Sequence, residues 1–546
     1  MFEFINFKDE AAALTKWLIS IPSVTTTSGE GDIADAVFQT LSETSYFKTH
    51  PDNLIYVPHA DNHHHSITAL VRTEDPEIRD TFCLLCNLDT AGNDEYGILK
   101  PYAFRSDELK NRLRSYLKNK SRRQSQLSYD NTLYGLGSFE CKAVAGTLIT
   151  LIKEASDSIA DLPFNLLLIC TTQTVNGNKG ITEALPYVKS LLTDNDLELR
   201  LTLAFKPEES ETEDENKLKL YTSNTGLAEI GYYVIGQKTE ITAPFAGFSP
   251  TQTAARLIEK TEFNSDLCSS KAAPFVPVFK NMLLPGRLNT STKDSALITF
   301  DLPFCNLNFH TLIEKLKQIA AGALEDSCLA LENSQAAYFA KTHEEFSPKL
   351  REAEVLSYSD LLYRASRRYR GDLSSDMEKL LERCRNENLG SGSTIHALLS
   401  KLCKLARLPK PSVIVFMGNN FVPQQQLRQN YSEDRDLYMR LYSSVEEFNK
   451  EHVQQISFSE YAPWSDCCFM RPSGSDHADE LLSSECPIPY APFYNFGAPA
   501  VTLTYRGQDL NQATEHVSTE IFELIPAFLL KIFEEFQSIQ NSIKKS

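Results

Sequence analysis

No apolar run in the chain approaches the roughly 20 residues that cross a bilayer; the longest, such as "FNLLLIC" at 164–170, stop far short. The start, "MFEFINFKDEAAALTKW", has acids where a signal peptide needs a basic end. Twelve cysteines are scattered without a regular framework, as in proteins whose thiols stay reduced. These absences predict a cytoplasmic protein with no membrane association. There is also no basic stripe with interleaved aromatics, and the formal net charge of -18 repels phosphate backbones, which excludes nucleic acid as a partner. A Walker loop and a nucleophile elbow are missing. "GLGSFE" at 135–140 has a glycine pair but lacks the third glycine and later acid of a dinucleotide site.

What is present is material for a large core: 546 residues, 42% of them hydrophobic, enough for about three or four domain-sized units. Ala11, Leu14, Leu18 and Ile21 form a helical stripe, followed by strands at 66–72 ("SITALVR") and 81–89 ("TFCLLCNLD"). Val144, Leu148, Leu151, Ile152 and Ala155 trace another helical face before the buried strands "NLLLICTT" and "LRLTLAF". Strand and helix in alternation predict an α/β fold with a mostly parallel sheet covered on both faces. From about residue 218 longer strands, "AEIGYYVIG" and "SALITFDLPF", alternate with helices beginning near Ser249, read as a capping box with proline at the first helical position, and near Asn308. The expected division is 1–217 as the first part of a main domain, 218–335 as an inserted α+β domain, and 336–546 as the second part, with "SVIVFMGN" and "APAVTLTYR" returning to the first sheet. The acidic run "EESETEDEN" at 208–216 reads as a solvated loop at the junction.

A series of segments in fixed order, "WLISIPSVTTTSGEGDIADAVFQTL", "CNLDT", "YGLGSFECKAVAGTL", "VNGNKG", "SVIVFMGNNFVP", "RPSGSD" and "RGQDLNQATEHV", resembles the zinc metallopeptidase and amidohydrolase family of carboxypeptidase G and aminoacylase, and within it the long arginine-utilisation branch. The resemblance spans nearly the whole chain. It implies a zinc-aminopeptidase-like mixed sheet flanked by helices, two zinc ions at the C-terminal strand ends, and an inserted two-layer α+β lid that often forms a homodimer.

Position by position, the resemblance implies loss of the metal centre. The first metal histidine matches Asn87 and its following aspartate matches Asp89; the bridging aspartate matches Glu140. The adjacent glutamate pair, base and ligand, matches Gln173 and Thr174; the acid before proline matches Lys206; the last histidine matches Asn511; the lid histidine matches Glu240. Amides are poor zinc donors and an ammonium is none, so the expected cofactor is none, with Lys206 paired to Asp89 or Glu140 instead. The resulting reading is a binding or regulatory protein for an amino-acid-like or peptide ligand, with Lys142, Ser475, Asp476 and Arg506 as candidate ligand contacts.

Two rival chemistries are open. A rebuilt site holding zinc or another divalent metal would draw on Glu208, Asp476, His477, Asp479 and Glu480, and would leave an active hydrolase of peptide or N-acyl amino acid C–N bonds. Cys141, at a helix start beside Lys142, has two features that lower a thiol pKa. Other features have plainer readings: Cys83 and Cys86 as core thiols, "HADNHHH" at 59–65 as an exposed connection, His516 as a surface or hydrogen-bonded residue.

Overall fold

A strand such as Asn165–Thr171, buried at every position, must be covered on both faces, and it lies inside a sheet with helices on each side. In this computed structural model the chain forms two units: Met1–Asn224 with Gln425–Ser473 and Tyr494–Ser546, and Thr225–Gln424 with Gly474–Phe493. The structure describes all residues except 1–5, 60–62, 117–130, 175–178, 210–217, 269–274, 286–290, 344–351, 428–431, 454–455, 463–464, 473–481, 490–495, 498 and 544–546.

The first unit holds a mixed sheet of eleven strands among the described residues. Its centre is β1 (Leu54–Pro58), β2 (His65–Val71), β3 (Asp80–Asn87), β5 (Asn165–Thr171), β6 (Glu198–Glu209) and β15 (Ala500–Gln508), in the order β1-β2-β5-β3-β6-β15. β3, β5, β6 and β15 run parallel, so their C-terminal ends share one edge. Around β15 lie β16 (His516–Ser518), β4 (Thr132–Tyr134) and β7 (Leu218–Asn224), and β7 also carries β13 (Gln425–Gln426) and β14 (Ile456–Ala462). Leu166, Leu168 and Cys170 of β5 join one core with helices Phe7–Ser20, Ala143–Asp157 and Ile521–Ile543, while Leu167 and Ile169 are as deeply buried on the opposite face. Cys83 and Cys86 are core thiols, as their apolar setting predicts, and Cys86 lies 3.6 Å from Cys170 across the β3–β5 pairing. Glu208 and Glu209, read from sequence as loop, extend β6; residues 210–217 of that run lie outside the described residues.

The second unit differs from expectation in extent and layering. Its sheet is ordered β11 (Glu354–Ser357), β12 (Ser412–Met417), β8 (Gly226–Ile235), β10 (Ser295–Phe304), β9 (Val278–Leu283). β12 is the "SVIVFM" strand expected to rejoin the first sheet; it pairs antiparallel with β8 instead, and the unit runs on to Gln424 rather than ending at 335. A strand apolar at every position fits any two-sided sheet, so its sequence carries no address. Ala228, Ile230, Tyr232 and Val234 pack with helices Pro250–Thr261 and Phe309–Thr342, whereas Tyr233, Ile235, Ile414 and Phe416 pack with helices Tyr358–Arg368 and Ser391–Ala406. Three layers therefore replace the expected two. Pro250 does open its helix, but Ser249 makes no side-chain cap and pairs with the Thr251 hydroxyl at 2.6 Å. Glu485 instead serves a helix far away in sequence: its carboxylate accepts from the Ser359 amide at 3.2 Å, at the start of Tyr358–Arg368.

Gly231 in β8 is where the second core closes, because a Cβ there would stand 2.3 Å from the ring of Phe416. Gly231→Ala is expected to destabilise the protein by about 1–3 kcal/mol through overpacking, with part of the loss recovered by adding Phe416→Leu. Chemical denaturation of the single and double variants measures both.

Candidate functional site

The parallel order brings the ends of β3 and β5 together, with Asn87 opposite Thr171. The Thr171 hydroxyl meets Asn87 Oδ1 at 3.0 Å and Asp466 Oδ2 at 3.2 Å, which links a family-matched position to an acid that sequence reading missed. Two residues beyond β3, Asp89 is buried, and its carboxylate is met by three donors: Thr25 Oγ1 at 3.0 Å, the Thr174 amide at 3.1 Å and Thr174 Oγ1 at 2.8 Å. Burial raises the Asp89 pKa and these donors oppose the rise.

Gln173, at the matched base position, is buried and held at φ 57°, in the left-handed region that non-glycine residues seldom adopt. Its amide N–H donates to Glu30 Oε1 at 2.8 Å. Its side-chain oxygen lies 2.9 Å from His59 Nδ1 and its Nε2 lies 2.9 Å from His64 Nδ1. In this amide orientation His59 donates from Nδ1, and its Nε2 faces the Ser66 hydroxyl at 2.9 Å; His64 accepts at Nδ1 and turns Nε2 to Glu30 Oε2 at 3.3 Å. Glu30 is fully buried and also accepts the Thr26 amide at 2.7 Å; burial raises its pKa, as does Asp89. The histidine-rich stretch differs in part from the exposed connection expected: His63 is exposed, but His59 is buried, His64 is hydrogen-bonded and His65 begins β2, while residues 60–62 lie outside the described residues.

The glycine pair builds the third part. Gly137 sits at φ 81°, and a Cβ there would lie 2.6 Å from Thr90 Cγ2. Ser138–Lys142 follows as a π-turn leading into helix Ala143–Asp157. Glu515, fully buried, accepts the first free amides of that turn, Phe139 at 2.9 Å and Glu140 at 3.1 Å, and also the Asn511 amide at 3.3 Å. Glu140 accepts the Ala91 amide at 3.1 Å; burial, then the Glu515 charge, push its pKa up to about 8. Burial brings Glu515 to about 7. Lys142 is buried, donates to the Ile21 carbonyl at 2.7 Å, and burial lowers its pKa to about 8.

Lys206, in β6, is set against a different acid from the two expected. The carboxylate whose charge opposes the burial effect on Lys206 is Asp466, and Lys206 in turn draws Asp466 down against the burial that raises it to about 6. The ammonium acting on Glu140 is Lys142. Two ligand-contact candidates are spent inside the fold: Lys142 as just described, and Arg506 on Glu208 at 3.1 Å and the Glu209 carbonyl at 2.7 Å. Ser475, Asp476, His477, Asp479 and Glu480 lie outside the described residues. Cys141 is buried, and that burial pushes its thiol pKa well up, the reverse of an activated nucleophile. Glu240 is exposed in the second unit on an isolated bridge to Ser291. His516 Nδ1 lies 2.7 Å from the Thr514 carbonyl, as a hydrogen-bonded histidine should. Glu30 and Glu515 were missed because each sits in a polar stretch that gives no sign of burial, whereas Asp466 precedes the apolar Cys467–Met470, a signal of burial that could have found it.

No family model matches the chain. It is 19% identical over 540 residues to Protein RocB of Bacillus subtilis (strain 168), covering 96% of this chain and 94% of that one. It is 24% identical over 424 residues to protein YqjN of the same organism, covering 76% and 75%. In structure it resembles an M20 family metallo-carboxypeptidase from Sulfolobus solfataricus, with TM-score 0.50 and 10% identity, covering 97% of this chain and 98% of that one. The chain is thus similar to RocB over nearly its whole length and has the M20 peptidase fold. The residues that the resemblance matches to metal ligands are a poor donor set for two zinc ions: Asn87 Oδ1 and the Thr174 hydroxyl are engaged with protein partners, position 206 is a lysine, and Asn511 offers one buried amide oxygen with no hydrogen-bond partner. Among the described residues no three His, Cys, Asp or Glu are grouped as for a metal ion, and no helix is long and apolar enough to cross a membrane.

Gln173→Glu is expected to cost about 1–3 kcal/mol, because a carboxylate cannot donate to His64 Nδ1; thermal unfolding of the variant checks it. Since the folded Glu140 and Glu515 pKa values lie above the ordinary 4.5, at about 8 and 7, their stabilising contribution is complete below pH 4.5 and is lost as pH rises through 7 to 8. Glu140→Gln should therefore flatten the fall in melting temperature between about pH 5.5 and 8.5.

Proposed function

We propose that this M20-fold chain is a non-hydrolytic member of its fold, a cytoplasmic binding or regulatory protein for a small amino-acid-like or peptide ligand, able to dimerise through its inserted unit. One observation carries this reading: the buried Asp89 is satisfied by hydroxyl and amide donors of Thr25 and Thr174. Of these donors, Thr174 is the residue that the family resemblance matches to a metal-binding carboxylate. Lys206 supports it, because an ammonium beside Asp466 supplies the positive charge that a divalent ion would otherwise bring.

Without a metal-bound water, hydrolysis needs a base, and the matched base position holds an amide that cannot take a proton near neutral pH. Glu30, the nearest acid to that amide, has both oxygens occupied by backbone amides. At the matched base position itself, the Gln173 side chain is held between His59 and His64 and takes no proton from water.

Elemental analysis of the purified full-length protein is expected to find no stoichiometric zinc, manganese or cobalt, with an unchanged melting temperature after chelation. Two tightly held zinc ions per chain, or zinc-dependent turnover of dipeptides or N-acyl amino acids, would overturn the reading.

A further inference from the structure

The candidate site lies at the C-terminal end of β5, and a second cleft lies at the other end of that strand. Its volume is about 830 Å³, within the range of small-molecule pockets. Arg72, one residue beyond β2, is part of its wall. Thr73, next in the chain and also lining the cleft, donates its amide to Asn165 Oδ1 at 3.1 Å, at the head of β5, whereas Thr171 and the Asp89 network lie at its tail. Seven residues of strand put about 20 Å between the two places.

The Arg72 guanidinium is held ready without being neutralised. Its backbone N–H donates to the Tyr46 hydroxyl at 2.8 Å, and its Nη1 donates to Asn195 Oδ1 at 2.9 Å, while Asn195 is itself anchored on the Leu191 carbonyl at 2.8 Å. No carboxylate among the described residues forms an ion pair with it. Tyr46 is nine-tenths buried, and its oxygen accepts from both Arg72 and Asn53 Nδ2, two lining residues, so its own proton remains to be given to an acceptor in the cleft. A planar cation with a free fork and a phenol donor is the arrangement that binds a carboxylate.

A simple anion does not suit the rest of the wall. Against the one guanidinium stand three carboxylates, Asp52, Glu74 and Asp194, and Asp194 ends helix Lys179–Asp194, whose C-terminal carbonyls add further negative potential. Ile55, Ile159 and the Tyr187 ring supply an apolar side. We infer that this cleft binds a free α-amino acid as its zwitterion, the carboxylate on Arg72 and Tyr46 and the positive groups toward Asp194 and Glu74, with a basic side chain favoured by the surplus of acids. This site is separate from the Asp89 network, and the inference stands whether or not a metal binds there.

Calorimetric titration of the full-length protein with L-lysine tests it, with L-glutamate and inorganic phosphate as the other probes. Saturable L-lysine binding is expected, weakened about tenfold or more by Arg72→Gln and in the same direction by the exposed Asp194→Asn, with melting temperatures of the free variants near that of the parent. Should Arg72→Gln fail to fold, Asp194→Asn carries the test. Absence of L-lysine binding, binding indifferent to these substitutions, or phosphate or L-glutamate binding as tightly as L-lysine would overturn the assignment.

Discussion

Asp89 is removed from water at the end of a parallel strand, and an ionised carboxylate in such a place has to be met by donors or by positive charge. In this chain the protein supplies the donors. Thr25 reaches in from the loop after the first helix, and Thr174 reaches in from the loop after β5 with both amide and hydroxyl. These bonds tie the ends of two strands to the N-terminal segment. The neighbouring acids obey the same constraint: Glu30 takes the Thr26 and Gln173 amides, and Glu515 takes those of Phe139 and Glu140. Each buried carboxylate therefore does structural work at a loop that would otherwise leave backbone amides unpaired.

The two lysines complete the balance in different ways. Lys142 is enclosed, with its head group on the Ile21 carbonyl and its charge acting on Glu140. Lys206 is half-buried and acts on Asp466, which is tied through Thr171 to Asn87. A buried ion pair is weak evidence for stability, since desolvation offsets much of the attraction, but losing one partner leaves the other uncompensated. The amides at 87 and 173 are answered in the same way, by the Thr171 hydroxyl and by the His59 and His64 imidazoles.

Much of the architecture was legible because it follows from period and burial. The two-sided strands at 81–89 and 165–172, the helical stripe through Val144 and Leu148, and the glycine turn before Glu140 all carry local signals that the structure keeps. The family resemblance located Asn87, Asp89, Glu140, Thr174 and Lys206, and these do fall within one connected part of the first unit. What failed was partner choice. The charge that acts on Lys206 comes from Asp466, Arg506 is engaged by Glu208, and His59 is buried while His64 is partly so.

Sequence by itself determined the α/β class, the presence of an inserted unit, and the chemical types at the family-matched positions, because these are written in side-chain identity and in apolar spacing over a few residues. Tertiary structure alone decided that β12 belongs to the second sheet, that helices cover both faces of that sheet, and which donor answers each buried acid. The physical reason is range: periodicity reports whether a residue is covered, whereas the covering partner comes from segments far apart in the chain, as Glu515 does for Glu140 and Asp466 does for Thr171.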